Sequence, residues 1–378
     1  MLLPGGIRPT WAEINLDNLA FNFHSVKNFV GKDLMYMAVV KADAYGHNAL
    51  KCAQKLEDTG VDCFGVALPE EGLELRNGGI KKPIICLGGF WSGQEDLLLE
   101  KDLSPVIYSL EMAERINYLA KKKGIFAKIH VKIDTGMGRI GVRFEDVKDF
   151  VGGFKKFKNL RLAGLMTHFA AAENLQQNDF TDKQIRRFYD ALEIFENNEF
   201  HPLYNDLANS PGAIVHPNSR GNMVRLGGVL YGLSGDILPI EVQKPVLRPV
   251  MSLFTRIAYL KKVPKGETLG YGRTFKTKRN SLIATIPIGY HDGYNRLLSN
   301  CGRVIINGAF APVVGRISMD WTTIDVTDLP KVKVNYEVIL IGKQGALDIK
   351  VEELAQLTNT ISYEITCGIS KRVIKICN

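Results

Sequence analysis

From Leu34 onward, short apolar runs alternate with longer segments whose apolar positions recur at helical spacing. The runs Leu34–Val40, Cys63–Leu68, Pro83–Leu87, Pro105–Tyr108, Lys128–Ile133, Leu162–Thr167, Tyr204–Ala208 and Asn222–Leu226 read as strands. Between them, Glu70–Arg76, Ser109–Lys123 and Phe180–Asn197 carry a helical period. Strand–helix alternation repeated in this way predicts a parallel (β/α)8 barrel. After about residue 240 the long helical periods stop, and β-rich runs follow turn signals: Pro249–Val263, Ser281–Ile286, Arg303–Ile306, Ala311–Ile317, Thr322–Val326 and Tyr336–Ile341. One helix, Val351–Leu357, interrupts them. The expected fold class is α/β, with a TIM-like barrel over residues 14–240 followed by a mostly β domain over 241–378, which residues 1–13 join.

A chain of 378 residues suits two domains, and 46% apolar with 23% charged residues is a globular composition. The net charge of +8 does not point to nucleic acid, because the lysines are spread along the chain. The one run, Lys121–Lys123, ends a helical segment, where cations suit the helix dipole. Six scattered cysteines form no Cys-x-x-Cys pair, so neither a disulfide framework nor a metal site is expected. No stretch approaches the roughly 20 apolar residues of a membrane span, and Pro4 with Gly5 and Gly6 breaks the first apolar run. A reduced cytoplasm without membrane attachment is the expected setting.

Barrels of this kind carry their chemistry on loops at the C-terminal ends of the strands. Lys41 directly follows Met35–Val40, and Lys132 leads into Asp134–Arg139. His168 ends the sixth strand, Asn209 and Ser210 follow the seventh, and the eighth carries Arg225 and then Gly227 and Gly228. Small residues after the last two strands let backbone N–H groups approach a phosphate.

Val39–His47 resembles the cofactor-lysine segment of alanine racemases, and the resemblance extends over nearly the whole chain. Arg8–Asp17, Lys132–Gly141, Met166–Ala170, Ala208–Ser210, Val224–Gly228 and Tyr231–Leu233 follow the family pattern in order and spacing. So do Gly270–Thr274, Gly289–Tyr294, Gly315–Asp320 and Tyr363–Ile365.

The resemblance implies interconversion of L-alanine and D-alanine, supplying D-alanine for peptidoglycan. It implies pyridoxal 5'-phosphate held on Lys41 as a Schiff base, with Lys41 and Tyr271 as two bases flanking the α-carbon. A phenol ordinarily has a pKa of about 10, so Tyr271 needs support, which the family supplies through His168 and Arg225. The resemblance also implies that Arg225 faces the ring nitrogen and leaves it unprotonated, since a guanidinium does not readily surrender a proton. The phosphate is assigned to Tyr45, Ser210, Gly227, Gly228 and Tyr363, with Asn209 beside them. Arg139 and Met319 are assigned to the substrate carboxylate, and Arg139 also to the cofactor. Lys132 is carbamylated in many members. Tyr290, Arg296, Arg316 and Asp320 are expected at the entrance, in a homodimer whose β domains complete each other's sites.

Departures from the commoner pattern are Ser318 where cysteine is frequent, Glu173 where aspartate is frequent, and the absence of proline after Arg372-Val373. A decarboxylase of the same fold would place a carboxylate where Arg225 stands, and a single-barrel cofactor-binding protein would lack the residues after 240. A broad-specificity or serine racemase is closer, separated by the missing signal peptide and membrane spans.

Overall fold

The computed structural model describes residues 8–378. Residues 1–7, part of the segment expected to join the β domain, lie outside the described residues. The chain divides into two compact units. One comprises Leu19–Ala44 and Asn48–Arg248, and the other the described residues up to Asn18, Tyr45–His47 and Pro249–Asn378.

In the first unit the strands Met35–Val39, Cys63–Val66, Ile84–Cys86, Leu103–Ile107, Ala127–Asp134, Leu160–Met166, Tyr204–Asp206 and Met223–Leu226 pair in parallel in sequence order. Pairing of Met223 with Met35 closes the ring, so the expected eight-stranded barrel is present. Paired residues of parallel strands lie at one level and face the same way. Met37, Cys63, Ile85, Val106, Met166 and Met223 fill the interior as one apolar cluster. Lys132, Met166, Asp206 and Met223 are successive register partners, as are Arg225, Met37 and Cys63. Lys132, Asp206 and Arg225 are therefore polar residues on inward-facing positions, and all three are buried.

The helices form where side chains satisfy their ends. Ser109 accepts a hydrogen bond from the Met112 N–H at 3.2 Å to start Leu110–Lys123, and Gly124, at φ 69°, ends it. Lys121, Lys122 and Lys123 fill its last turn. Along Asn178–Glu196, buried Gln184, Ile185, Phe188, Ala191, Leu192 and Phe195 recur every three or four residues, giving the helix one apolar face to press on the barrel.

The second unit is mostly β, as expected. Its main sheet runs Ala309–Pro312, Arg303–Ile306, Glu337–Gln344, Met251–Arg256, Thr10–Ile14 and Ile374–Cys377. Thr10–Ile14 pairs antiparallel with Met251–Arg256 and parallel with Ile374–Cys377. A second sheet joins Tyr259–Val263, Ser281–Ile286 and Thr322–Asp325. Two expectations change in detail. Pro249–Val263 is two strands, broken between Arg256 and Tyr259, and Ala311–Ile317 is a strand only to Pro312. Beyond it Gly315 turns at φ 76°, with its N–H donated to Asn300 Oδ1 at 2.6 Å. Val351–Leu357 is helical, and so is Ser362–Gly368, which the hydrophobic pattern did not reveal.

Deep in the barrel, His130 lies parallel to Tyr204 with ring centroids 6.0 Å apart. Its Nδ1 is buried without a partner among the described residues, and burial lowers its pKa to about 4. The fold thus favours neutral imidazole, so its contribution is present above the unfolded pKa near 6.5 and is lost as pH falls toward 4. Between pH 7 and pH 5 this one group should remove about 2 kcal/mol of stability. Urea unfolding of the wild type and His130→Gln at both pH values checks it: the stability difference should move by that amount in favour of the variant at pH 5, and an unchanged difference refutes it.

Candidate active site

Lys41 opens a short turn, Lys41–Gly46, that winds left-handed. Ala42, Asp43, Ala44 and Tyr45 have φ of 53°, 55°, 54° and 54°. Each such L-residue costs roughly 1–2 kcal/mol relative to a right-handed turn, so the surroundings must hold it. Glu71 does so with both oxygens: Oε1 accepts from the Ala42 N–H at 2.7 Å, and Oε2 from the Ala67 N–H at 2.7 Å. The Asp43 carboxylate accepts from the Ala49 N–H at 2.7 Å. Asp43 therefore supports the turn, and Glu71, absent from the sequence-based set, fixes where it starts.

The barrel brings Lys132, His168 and Arg225 together. Arg225 Nη2 donates to His168 Nδ1 at 3.1 Å, to the Thr167 carbonyl at 2.9 Å and to the Leu207 carbonyl at 3.2 Å. Its Nη1 is ion-paired with the buried Asp206 carboxylate and also donates to the Asp206 carbonyl at 3.2 Å. These bonds use Nη1 and Nη2, leaving Nε–H for another acceptor. Because His168 Nδ1 accepts, its ring proton resides on Nε2. Burial, reinforced by Arg225, Lys132, Arg139 and Lys41, holds the His168 pKa well below the ordinary histidine value. Burial lowers Lys132 to about 8, helped by Arg225 and Arg139 and resisted by Asp206. Burial raises Asp206 to about 6 against the pull of Arg225.

Around this cluster the loops are braced by residues that sequence reasoning missed. Gln184 donates to the Thr135 hydroxyl at 3.2 Å and the His168 carbonyl at 3.0 Å, and accepts from the Ala170 N–H at 3.0 Å. The hydroxyls of Thr135 and Thr167 lie 2.8 Å apart. Ser210 Oγ accepts from the Gly227 N–H at 2.9 Å, tying together the two small-residue loops. Asn209 Oδ1 accepts from the Gly212 N–H at 3.0 Å and caps the turn that Ser210 opens. Arg139 is exposed on its loop.

Within the other unit, the Tyr45 and Tyr363 rings meet at 5.3 Å between centroids. Tyr271 sits at the tip of the hairpin Thr268–Leu269 and Phe275–Lys276, 71% exposed. Gly270 and Gly272 both have φ 70°, and a Cβ on either would lie 3.1 Å from Arg316, from its backbone nitrogen or its guanidinium respectively. Glycine thus lets this tip lie against Arg316. Tyr290 and Arg296 line a cavity of about 400 Å³ with Asn295 and Glu364. Asp320 pairs with Arg372 at 2.8 Å. Met319 is half exposed, and its carbonyl accepts from the His291 N–H at 3.1 Å.

The barrel's donor set fits a phosphorylated pyridine. Arg225 Nε–H suits an unprotonated ring nitrogen, the loops at Ser210 and Gly227 suit a phosphate, and Lys41 supplies an amine. Fold and site thus define a barrel enzyme with an amine and a buried guanidinium on its strand ends, joined to a β unit. Residues 14–235 match the model described as alanine racemase, N-terminal domain, and residues 250–377 the alanine racemase, C-terminal domain. An alanine racemase of Halothermothrix orenii is 44% identical over 97% of this chain and 96% of its own. The alanine racemase structure from Clostridium difficile 630 has a TM-score of 0.92 at 38% identity, covering 98% of this chain and 96% of that one. One from Bartonella henselae, solved with covalently bound pyridoxal phosphate, has a TM-score of 0.87 at 29% identity, covering 98% and 99%. The chain belongs to the alanine racemase family.

If the turn after Lys41 is strained, glycine should relieve it. Ala42→Gly should raise stability by about 1 kcal/mol, measured by urea unfolding of the apoprotein; a loss of stability would contradict a strained turn.

Proposed function

We propose that this protein interconverts L-alanine and D-alanine with pyridoxal 5'-phosphate as cofactor, supplying D-alanine for peptidoglycan. The reading rests on its family membership and on one observation above all: a buried Arg225 whose Nη groups are held by protein while Nε–H remains for a ring nitrogen. When bound, the cofactor supplies an electron-withdrawing ring that acidifies the substrate's α-hydrogen.

Lys41 is the amine that would hold the cofactor, and the same amine would carry a proton to or from one face of the substrate's α-carbon. Tyr271 does the same at the opposite face. Arg225 donates to the ring nitrogen and so leaves it unprotonated. His168, neutral with its proton on Nε2, is a donor of the kind that steadies a phenolate. Ser210 and the amides at Gly227 and Gly228, on two barrel loops tied to each other, would take the phosphate. Arg139 and Met319 orient the substrate carboxylate, and Tyr290, Arg296, Arg316 and Asp320 line the approach.

The exposure of Tyr271 supports a homodimer in which it serves the partner's site. A cytoplasmic setting agrees with the absence of a disulfide among the described residues. Purified protein saturated with the cofactor is incubated with L-alanine, L-serine or L-lysine and the D-enantiomer measured by chiral chromatography. D-alanine should form fastest. Lys41→Ala and Tyr271→Ala should each lose roughly 10²-fold or more in rate, and their mixture should regain part of it once heterodimers form. No racemisation by fully loaded wild type overturns the reading, and no recovery in proven heterodimers overturns the shared site.

Lys132, with an amine neutral to an unusual degree, is suited to react with carbon dioxide, forming a carbamate that can pair with Arg139. The reaction consumes neutral amine and releases a proton, so occupancy should rise as pH passes through about 8. NMR in 13C-bicarbonate should show a carbamate resonance that grows from pH 7 to pH 9 and vanishes in Lys132→Gln. Its absence from the wild type across this range would contradict the assignment.

A further inference from the structure

Behind Arg225, on the side away from Nε, stands a carboxylate for which the family reading provides no role. Asp206 ends the strand Tyr204–Asp206 and is completely buried. Its Oδ1 pairs with Arg225 Nη1, while its Oδ2 is buried with no partner among the described residues. The two oxygens are thus unequal: one is committed to the guanidinium, and the other has a vacant lone pair inside the barrel.

We propose that Asp206 is a positioning residue and a charge switch for Arg225, anchoring its guanidinium through Oδ1 and setting its effective charge by gaining or losing a proton on Oδ2. The inference rests on the reading that Arg225 faces the cofactor ring. A proton on Oδ2 leaves the Oδ1 contact in place, so the charge changes without a rearrangement. With Asp206 ionised, the pair is close to neutral and Arg225 presents its Nε–H as a weakly charged donor. With Asp206 protonated, the full guanidinium charge faces the ring nitrogen, and nearby cations lose their counter-ion.

The groups that face Asp206 are few. Arg225 lies on the strand Met223–Leu226, Lys132 on Ala127–Asp134 and Cys63 on Cys63–Val66. His168 follows Leu160–Met166 and contacts Arg225. Cys63 is held far into the protonated state by burial, and His168 far into the neutral state. Lys132 sits near 8 and Asp206 near 6, so a transition near pH 6 belongs to the carboxylate.

The test uses holoenzyme. The absorbance of bound cofactor and kcat for racemisation are followed from pH 5 to pH 9 in wild type, Asp206→Asn and Asp206→Glu. The 15N shift of labelled cofactor ring nitrogen is recorded over the same range. In wild type all three readouts should bend near pH 6, the value set by Asp206. Asp206→Asn keeps an oxygen for Arg225 but has no proton to lose, so the bend should disappear; Asp206→Glu should retain one. A merely structural residue would change amplitude or stability and leave the bend in place. Absence of the bend in the wild type, a measurement that needs no variant to fold, overturns the proposal, and so does its persistence in Asp206→Asn. A wild type that binds no cofactor fails the functional reading instead, at the first spectrum.

Discussion

Four cations, Lys41, Lys132, Arg139 and Arg225, act on one another at one end of an apolar barrel, and the carboxylate of Asp206 is what answers them from inside it. Removing charge from water costs several kcal/mol per ion even after relaxation. A cluster of this sign balance is therefore stable only if some of its members give up their charge. Lys132 and His168 are the ones displaced toward neutrality, whereas Arg225 cannot follow them. Lys132 becomes a nucleophilic amine and His168 a neutral donor because each is itself taken out of water, and the fixed charge of Arg225 beside them pushes the same way.

Geometry is held as firmly as charge, and by local means. The turn after Lys41 keeps four L-residues in the left-handed region, a conformation that persists only where neighbours over-determine it. Glu71 and Asp43 supply that restraint through backbone N–H groups. The result is an amine delivered at the end of a buried strand with little freedom in the backbone beneath it. On the Tyr271 hairpin the same problem is solved with glycines at 270 and 272, which occupy positive φ without strain and admit Arg316.

The barrel was legible because a parallel strand buried on both faces leaves a continuous apolar run, and each run here had a helix or turn signal on either side. Boundaries shifted where local chemistry intervened, as at Pro312 and Gly315. Lys132, His168 and Arg225 could be placed at one mouth because strand ends define a single face of such a fold. Asp206 was not legible: Tyr204-Asn205-Asp206 looks like an ordinary polar strand end, and its inward direction depends on register with Met166 and Met223, which no single strand encodes. Glu71 and Gln184 were hidden for the same reason, since each acts across segments distant in sequence. The left-handed turn gave little compositional signal, because alanine and tyrosine do not announce positive φ and Asp43 is the one residue of the four that favours it.

The two proposed bases stand in opposite environments within one chain. Lys41 is half buried, as is His168, on which its charge acts, whereas Tyr271 is exposed at a hairpin tip. A phenol open to water transfers its proton to solvent as readily as to a substrate, and a phenolate there receives no benefit from a fixed donor in low dielectric. Directed proton transfer by Tyr271 therefore requires cover that the hairpin itself does not provide. A second copy that places the tip against buried donors would supply that cover. Exposure of this tyrosine is thus the physical reason for expecting assembly to precede activity.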